Sequence, residues 1–214
     1  MKFEFDALKY SYPSVRRVVY GNRGMVCTSQ PLAAQAGLDI MKNGGNAIDA
    51  AIATAACMTV LEPTSNGIGG DAFALVWTKN SLHGLNASGP APMSLNAEKI
   101  REKNRGVMPK YGWDVVTVPG APSAWSELSR KYGKLPLADI LQPAVGYAEN
   151  GYPVSPIVSH LWNNAYRLFQ KEFEDKALKN WFTTFAPKGY VPKPGQVVTL
   201  PDHAVTMLEI GKTN

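Results

Sequence analysis

The sequence predicts a protein of mixed α and β structure, and three features carry that reading. An Ala-rich run, AIDAAIATAACMTVL at 47–61, has no charge after Asp49. A helix apolar all round must be buried on most of its faces. A Gly-rich loop at 64–70 then leads into Asp71–Thr78, a run rich in strand formers. From residue 121 onward the chain turns to runs of helical spacing closed by Gly. With 45% hydrophobic and 18% charged residues over 214 positions, the chain reads as soluble and globular, which argues against disorder. Pro and Gly are scattered, so they punctuate the chain and form no low-complexity tract.

Residues 1–24 are polar and aromatic and end in a turn at Gly21 to Gly24. Met25 to Ser29 reads as a short strand. Pro31 can open a helix whose apolar face is Leu32, Ala33, Ala36, Ile40 and Met41, and Gly44 and Gly45 stop it. Asn46 is a good N-cap for the Ala-rich helix, and Asp49 lies near its positive end. The small side chains of that helix suit close packing, as in a central helix pressed against a sheet. Glu62 and Pro63 end it. After the strand Asp71–Thr78, a turn near Lys79 and Asn80 permits a paired strand from Leu82 to Asn86. The run Ser88 to Pro92 breaks the chain. A charged helix is expected from Asn96 to Asn104, and another strand from Asp114 to Val118, closed by Pro119 and Gly120. Ser123–Tyr132 and Leu137–Asn150 read as helices, and Pro156–Lys179 as one or two more, with Trp162, Tyr166, Phe169 and Phe173 on aromatic faces. Residues 186–201 are extended, and Pro201–Gly211 begins a last helix.

Several function classes are excluded. The longest uncharged apolar stretch, Ala50 to Leu61, falls well short of the ~20 residues a membrane span needs. The N-terminal MKFEFDALKYSYPSVRR has charges throughout and no apolar core of a secretory signal, so a cytoplasmic location is expected. The net charge is +5, but its basic residues are dispersed from Arg16 and Arg17 through Lys99–Arg105 to Lys171–Lys179. Acidic residues interleave with the later groups, so these are solvated faces and no nucleic-acid partner is expected. Cys27 and Cys57 lie in apolar contexts with no His at ligand spacing, which predicts two buried free thiols and no metal.

The residues themselves offer little catalytic machinery. The loop Ser65 to Gly70 lacks the Gly-Lys-Ser/Thr of a phosphate loop and follows a helix instead of preceding one. It is either a tight turn or a loop of free amides lining a pocket. His83, His160 and His203 stand apart from one another. Ser29, Ser65 and Ser88 have no base nearby in sequence. Asp71 and Glu62 read as structural partners of the loop, and Glu172 and Glu174 as part of a solvated face.

The 24–74 segment, GMVCTSQPLAAQAGLDIMKNGGNAIDAAIATAACMTVLEPTSNGIGGDAFA, closely resembles the gamma-glutamyltranspeptidase family. Its large subunit opens with a Gly-Met-Val-(Ala/Cys)-(Ser/Thr) strand, here Gly24 to Ser29. A helix ending Gly-Gly-Asn-Ala-x-Asp-Ala-Ala follows, here Gly44 to Ala51, and then a Pro-x-(Ser/x)-x-Gly-Ile-Gly-Gly loop, here Pro63 to Gly70. Further likeness runs through 118–121, 132–137, 143–145, 148–154, 194–195 and 200–202, so the resemblance reaches from about residue 12 to the end. It implies an α+β fold: part of a four-layer αββα N-terminal nucleophile hydrolase sandwich at 1–120, with a helix-rich lobe of the large subunit at 121–214. It also implies a precursor that cleaves itself, and a partner small subunit whose new N-terminal Thr is nucleophile and, through its α-amino group, its own base. The substrate would be a small-molecule gamma-glutamyl or other amide, attacked through an acyl-enzyme without metal or organic cofactor.

Two departures shape the expectation. The nucleophile Thr is not in this chain; Thr183 and Thr184 do not match the family's processing motif, so the 214 residues alone are expected to be inactive and to contain no catalytic residue. The family's glutamyl enzymes also carry an Arg, in an Arg-Glu-x-Ala-Pro-like run, that grips the substrate α-carboxylate. Alignment on Ala91 and Pro92 places Ser88 and Gly89 there. Loss of a charged hydrogen bond is worth roughly 1.5–3 kcal/mol. The expected substrate-binding residues are Ser88, Asn86, Gly69 and Gly70. Three readings result: a gamma-glutamyl enzyme fragment, a fragment of an acylase or amidase with a non-glutamyl substrate, and a non-catalytic remnant domain. A fragment would leave an apolar sheet face exposed.

Overall fold

The computed structural model describes residues 18–173 and 178–213. The expectations for residues 1–17, including Arg16 and Arg17, and for the 174–177 part of the run to Lys179, including Glu174 and Lys176, lie outside them.

The Ala-rich run forms α2 (Ala47–Leu61), and the rest of the fold is arranged round it. Asn46 caps it as expected: its Oδ1 accepts from the Ile48 and Asp49 amides at 2.8 and 3.0 Å, and Asp49 Oδ2 accepts the Asn46 amide at 2.8 Å. This reciprocal box satisfies donors that would otherwise face no partner. α1 (Pro31–Lys42) crosses α2 at close range through Ala33, Ala36 and Gly37. A Cβ on Gly37 would meet Thr54 Oγ1 at 2.4 Å, so only glycine permits this approach. The other flanks of α2 are covered by α4 (Ala121–Tyr132) and α5 (Leu137–Asn150). α8 (Pro201–Gly211) lies on α5, where Gly211 sits against the Ala138 backbone. One apolar cluster contains Ile52, Val60, Leu61, Trp125, Ile140, Leu141 and Met207. Burial of each large side chain contributes about 1.5–3 kcal/mol.

The strands are few. β1 (Ala72–Thr78) and β2 (Ser81–Ala87) form an antiparallel hairpin. Lys79 and Asn80 both have positive φ, +49° and +60°, the backbone demanded by a two-residue turn of this twist. β3 (Tyr152–Pro153) and β4 (Val197–Val198) form a short ladder that ties the 186–200 segment down. The charged helix is α3 (Ala97–Lys103), capped by Asn96. α6 (Pro156–Glu172) and α7 (Asn180–Phe185) build the aromatic lobe, in which buried Trp162 donates its indole N–H to the Phe185 carbonyl at 3.0 Å.

Two expected strands are absent. Met25 to Ser29 has no strand partner among the described residues and forms no ladder. Cys27 is consequently exposed, while Cys57 is buried as expected and its thiol is pushed up to about 12 by burial. Asp114 to Val118 instead starts in a single 3-10 turn at Trp113–Val115. The Asp114 carboxylate accepts from Lys103 Nζ and Asn104 Nδ2 at 3.1 and 3.3 Å, which turns this segment toward α3.

Asp49 does more than cap α2. Its carboxylate oxygens accept the Lys134 amide at 3.0 and 3.1 Å, and Asn46 Nδ2 donates to the Tyr132 carbonyl at 2.6 Å. The start of α2 and the end of α4 are thus joined by one buried carboxylate. Replacement Asp49→Ala strands the amides of Asn46 and Lys134 and is expected to cost about 2–4 kcal/mol, read as a lowered urea midpoint of the whole protein.

Candidate functional site

Three segments converge on Gly120. The Gly70 carbonyl accepts the amides of Gly120 and Ala121 at 2.9 and 3.0 Å. A Cβ on Gly120 would lie 1.9 Å from the Ala87 carbonyl oxygen. Gly89 has φ +77°, and a Cβ there would lie 1.9 Å from the Val118 carbonyl oxygen. The Val118 amide donates to the Pro90 carbonyl at 3.0 Å, and Thr117 Oγ1 to the Ser88 carbonyl at 3.3 Å. The loop after α2, the loop after β2 and the start of α4 are therefore locked backbone to backbone. Side chains at these glycines would force them apart.

This junction places the expected site residues. Gly70 and the Ser88 loop both meet it. Asn86 stands at the end of β2, and its Oδ1 accepts the Ser88 amide at 3.0 Å, an Asx turn that presents Ser88 outward. Asn86 and Ser88 are exposed. They line a shallow hollow of about 680 Å3 with Gly89, Ser123 and Glu127. Among the described residues the only charged one lining it is Glu127, whose carboxylate pairs with Arg130 and Lys131 at 2.7 and 2.9 Å. These bonds hold its carboxyl below the usual range, led by the bond from Lys131. Gly69 is exposed, with open space round its Cα, and lines neither hollow.

Gly70 lines a second groove, of about 630 Å3, on α2. Its floor holds Ala47, Ala51 and Ala55, the one face of α2 left exposed. Met25 to Thr28 forms one wall, and the 65–73 segment with Asp71 forms the other. The outer face of the hairpin continues this open surface: Phe73, Leu75 and Trp77 are 65%, 77% and 68% exposed, and Leu82 lies opposite Trp77. The expected exposed apolar sheet face is present.

The remaining sequence candidates lie elsewhere. His83 on β2 packs near Tyr132, His160 on α6 meets Asn164, and His203 on α8 packs near Phe185. Burial holds the His203 imidazole below its ordinary range. Ser29 Oγ donates to Glu62, which confirms Glu62 as a partner near the loop. No group of three or more His, Cys, Asp or Glu among the described residues could hold a metal ion, and no helix among them is long and apolar enough to cross a membrane. The importance of Gly120 was not apparent from the sequence, where Pro119 and Gly120 read as a strand end. Its signal is the Pro-Gly-Ala run, whose contact partner lies more than thirty residues away.

The arrangement is that of N-terminal nucleophile hydrolases of the transpeptidase and acylase type. The crystal structure of a cephalosporin acylase from Bacillus halodurans superposes with a TM-score of 0.90 at 58% identity, over 99% of this chain and 40% of that one. The gamma-glutamyltranspeptidase of Helicobacter pylori superposes with a TM-score of 0.81 at 28% identity, over 91% of this chain and 56% of that one. The glutathione hydrolase-like YwrD proenzyme of Bacillus subtilis is 35% identical over 184 residues, 85% of this chain and 34% of the relative. The gamma-glutamyltranspeptidase family model matches residues 33–214, and the chain belongs to that family. It spans about a third of the length of the curated relatives it matches.

The junction yields a direct test. Replacement Gly120→Ala is expected to destabilise the protein by about 2–4 kcal/mol, since the new methyl overlaps a carbonyl that cannot retreat. Gly44→Ala, at φ +98° with open space round it, is the contrast and should cost about 1 kcal/mol. Chemical denaturation of both variants separates overlap from backbone preference.

Proposed function

We propose that this chain is the N-terminal part of a self-processing amidohydrolase that transfers or hydrolyses gamma-glutamyl groups through an acyl-enzyme. The observation that carries the reading is the family match across residues 33–214. The nucleophile is a Thr of a small subunit released from the same precursor, outside this chain. The 1–120 part contributes a sandwich and the 121–214 part a helical lobe. Asn86 and Ser88, with Gly70 beside them at the junction, form one wall of the substrate pocket. The open groove on α2 and the apolar hairpin face support this, because contiguous apolar surface of this kind marks an interface.

A second reading has its own support: an acylase for a non-glutamyl amide. Ser88 is exposed and neutral where the family's glutamyl enzymes use Arg, and no cation among the described residues lines its hollow. Similarity to the Bacillus halodurans acylase structure is also high, at 58% identity. Replacement Ser88→Arg in the whole protein separates the readings. It is expected to raise kcat/KM for a gamma-glutamyl anilide about tenfold, the worth of one recovered bidentate contact. No gain would mean that Ser88 does not occupy the carboxylate-binding position.

The broader proposal rests on the downstream polypeptide. Expressed with the remainder of its reading frame, the protein should split into two chains, the second beginning with Thr, and hydrolyse an amide donor. The 214 residues alone should show no turnover and should self-associate through the hairpin face. A cooperative, monomeric 214-residue domain would favour a non-catalytic remnant.

A further inference from the structure

One charged group beside the segments that line the α2 groove is held in a way its position does not explain. Glu62 is the C-cap of α2, and no basic residue stands in the last turn of that helix. A carboxylate at the negative end of a helix is unfavourable. Its partners are all neutral and come from both walls of the groove. Ser29 Oγ lies 3.1 and 3.3 Å from its two oxygens, and Gln30 Nε2 donates to Oε1 at 2.9 Å. Asn66 Nδ2 donates to Oε2 at 3.1 Å. Its carbonyl accepts the amides of Ser65 and Asn66, both at 3.0 Å.

This geometry joins three pieces of chain. The 29–30 side chains extend the unpaired wall that begins at Met25. Asn66 belongs to the opposite wall, and Glu62 ends the helix whose alanines form the floor. Four residues after Asn66, Gly70 accepts the Gly120 and Ala121 amides, and Gly120 abuts Ala87 beside Ser88. We infer that Glu62 is a positioning residue: its carboxylate clamps the 29–30 segment to the 64–70 loop and so fixes the loop that meets the Ser88 junction. Both walls supply hydrogen-bond donors, so an anionic acceptor with two oxygens can hold them at one spacing. The inference rests on the proposed function for its catalytic consequence, but the clamp itself is a property of this chain.

The test uses the full-length protein with Glu62→Ala and Glu62→Gln. Hydrogen exchange of the 65–70 amides should rise at least about tenfold in Glu62→Ala, while amides of α5 stay protected. In the processed enzyme KM for the amide donor should rise about fivefold, with kcat and self-cleavage within about twofold of wild type. Glu62→Gln should recover most of both effects, because its oxygen still accepts from one side-chain amide while its new NH2 can donate to the oxygen of the other once Gln30 or Asn66 has flipped. Unchanged exchange at 65–70 in Glu62→Ala overturns the clamp, whatever the activity. Faster exchange with unchanged KM overturns the positioning role. A parallel fall in kcat, processing and melting temperature, with no recovery in Glu62→Gln, reduces Glu62 to a structural residue and also overturns it. A wild-type protein that neither cleaves itself nor turns over an amide removes the proposed function, while the exchange result still decides the clamp.

Discussion

The fold depends on one constraint: α2 has almost no polar side and must be enclosed. Eleven of its fifteen residues are buried. Small side chains let α1 approach to the limit set by Gly37 and Thr54, and α4 and α5 close two further flanks. Enclosure alone does not fix how the neighbours are turned, because apolar contact is weakly directional. Direction comes from the buried Asp49 carboxylate, which accepts amides from its own helix cap and from Lys134 beyond α4. Hydrophobic burial provides the driving force, and this charged node selects one arrangement.

Much of the fold was legible because it is local. The Asn46 and Asp49 box, the glycine stops and the turn at Lys79 and Asn80 are written within a few residues of one another, and each forms as read. The strand assignments at Met25 to Ser29 and Asp114 to Val118 failed for a physical reason: a strand is defined by its partner, which a local pattern does not contain. The same missing partner exposes Cys27. In the site, Asn86 and Ser88 were readable as neighbours. Their junction with Gly70 was not, since it runs through Gly120 and depends on the absence of side chains at two separated glycines, Gly89 and Gly120.

The open surface is continuous. Phe73 belongs both to the α2 groove and to the outer face of the hairpin, so the groove wall and the exposed strand face are one area. Glu62 and its partners join the two segments that flank the groove, whereas the floor is a stripe of alanines.

The Ser88 hollow points to a division of electrostatic work. A substrate carboxylate needs a cation or several aligned donors to offset its lost hydration. Ser88 supplies one hydroxyl and Asn86 an amide whose oxygen is already engaged by the Ser88 backbone. The nearest charge lining the hollow is the carboxylate of Glu127, largely neutralised by Arg130 and Lys131. The described residues therefore supply shape and neutral hydrogen bonds on this wall without an anion grip. An acyl donor bearing a carboxylate at this end would need its positive partner from polypeptide outside these residues. A donor with a neutral end would need none, and that asymmetry is what Ser88→Arg isolates.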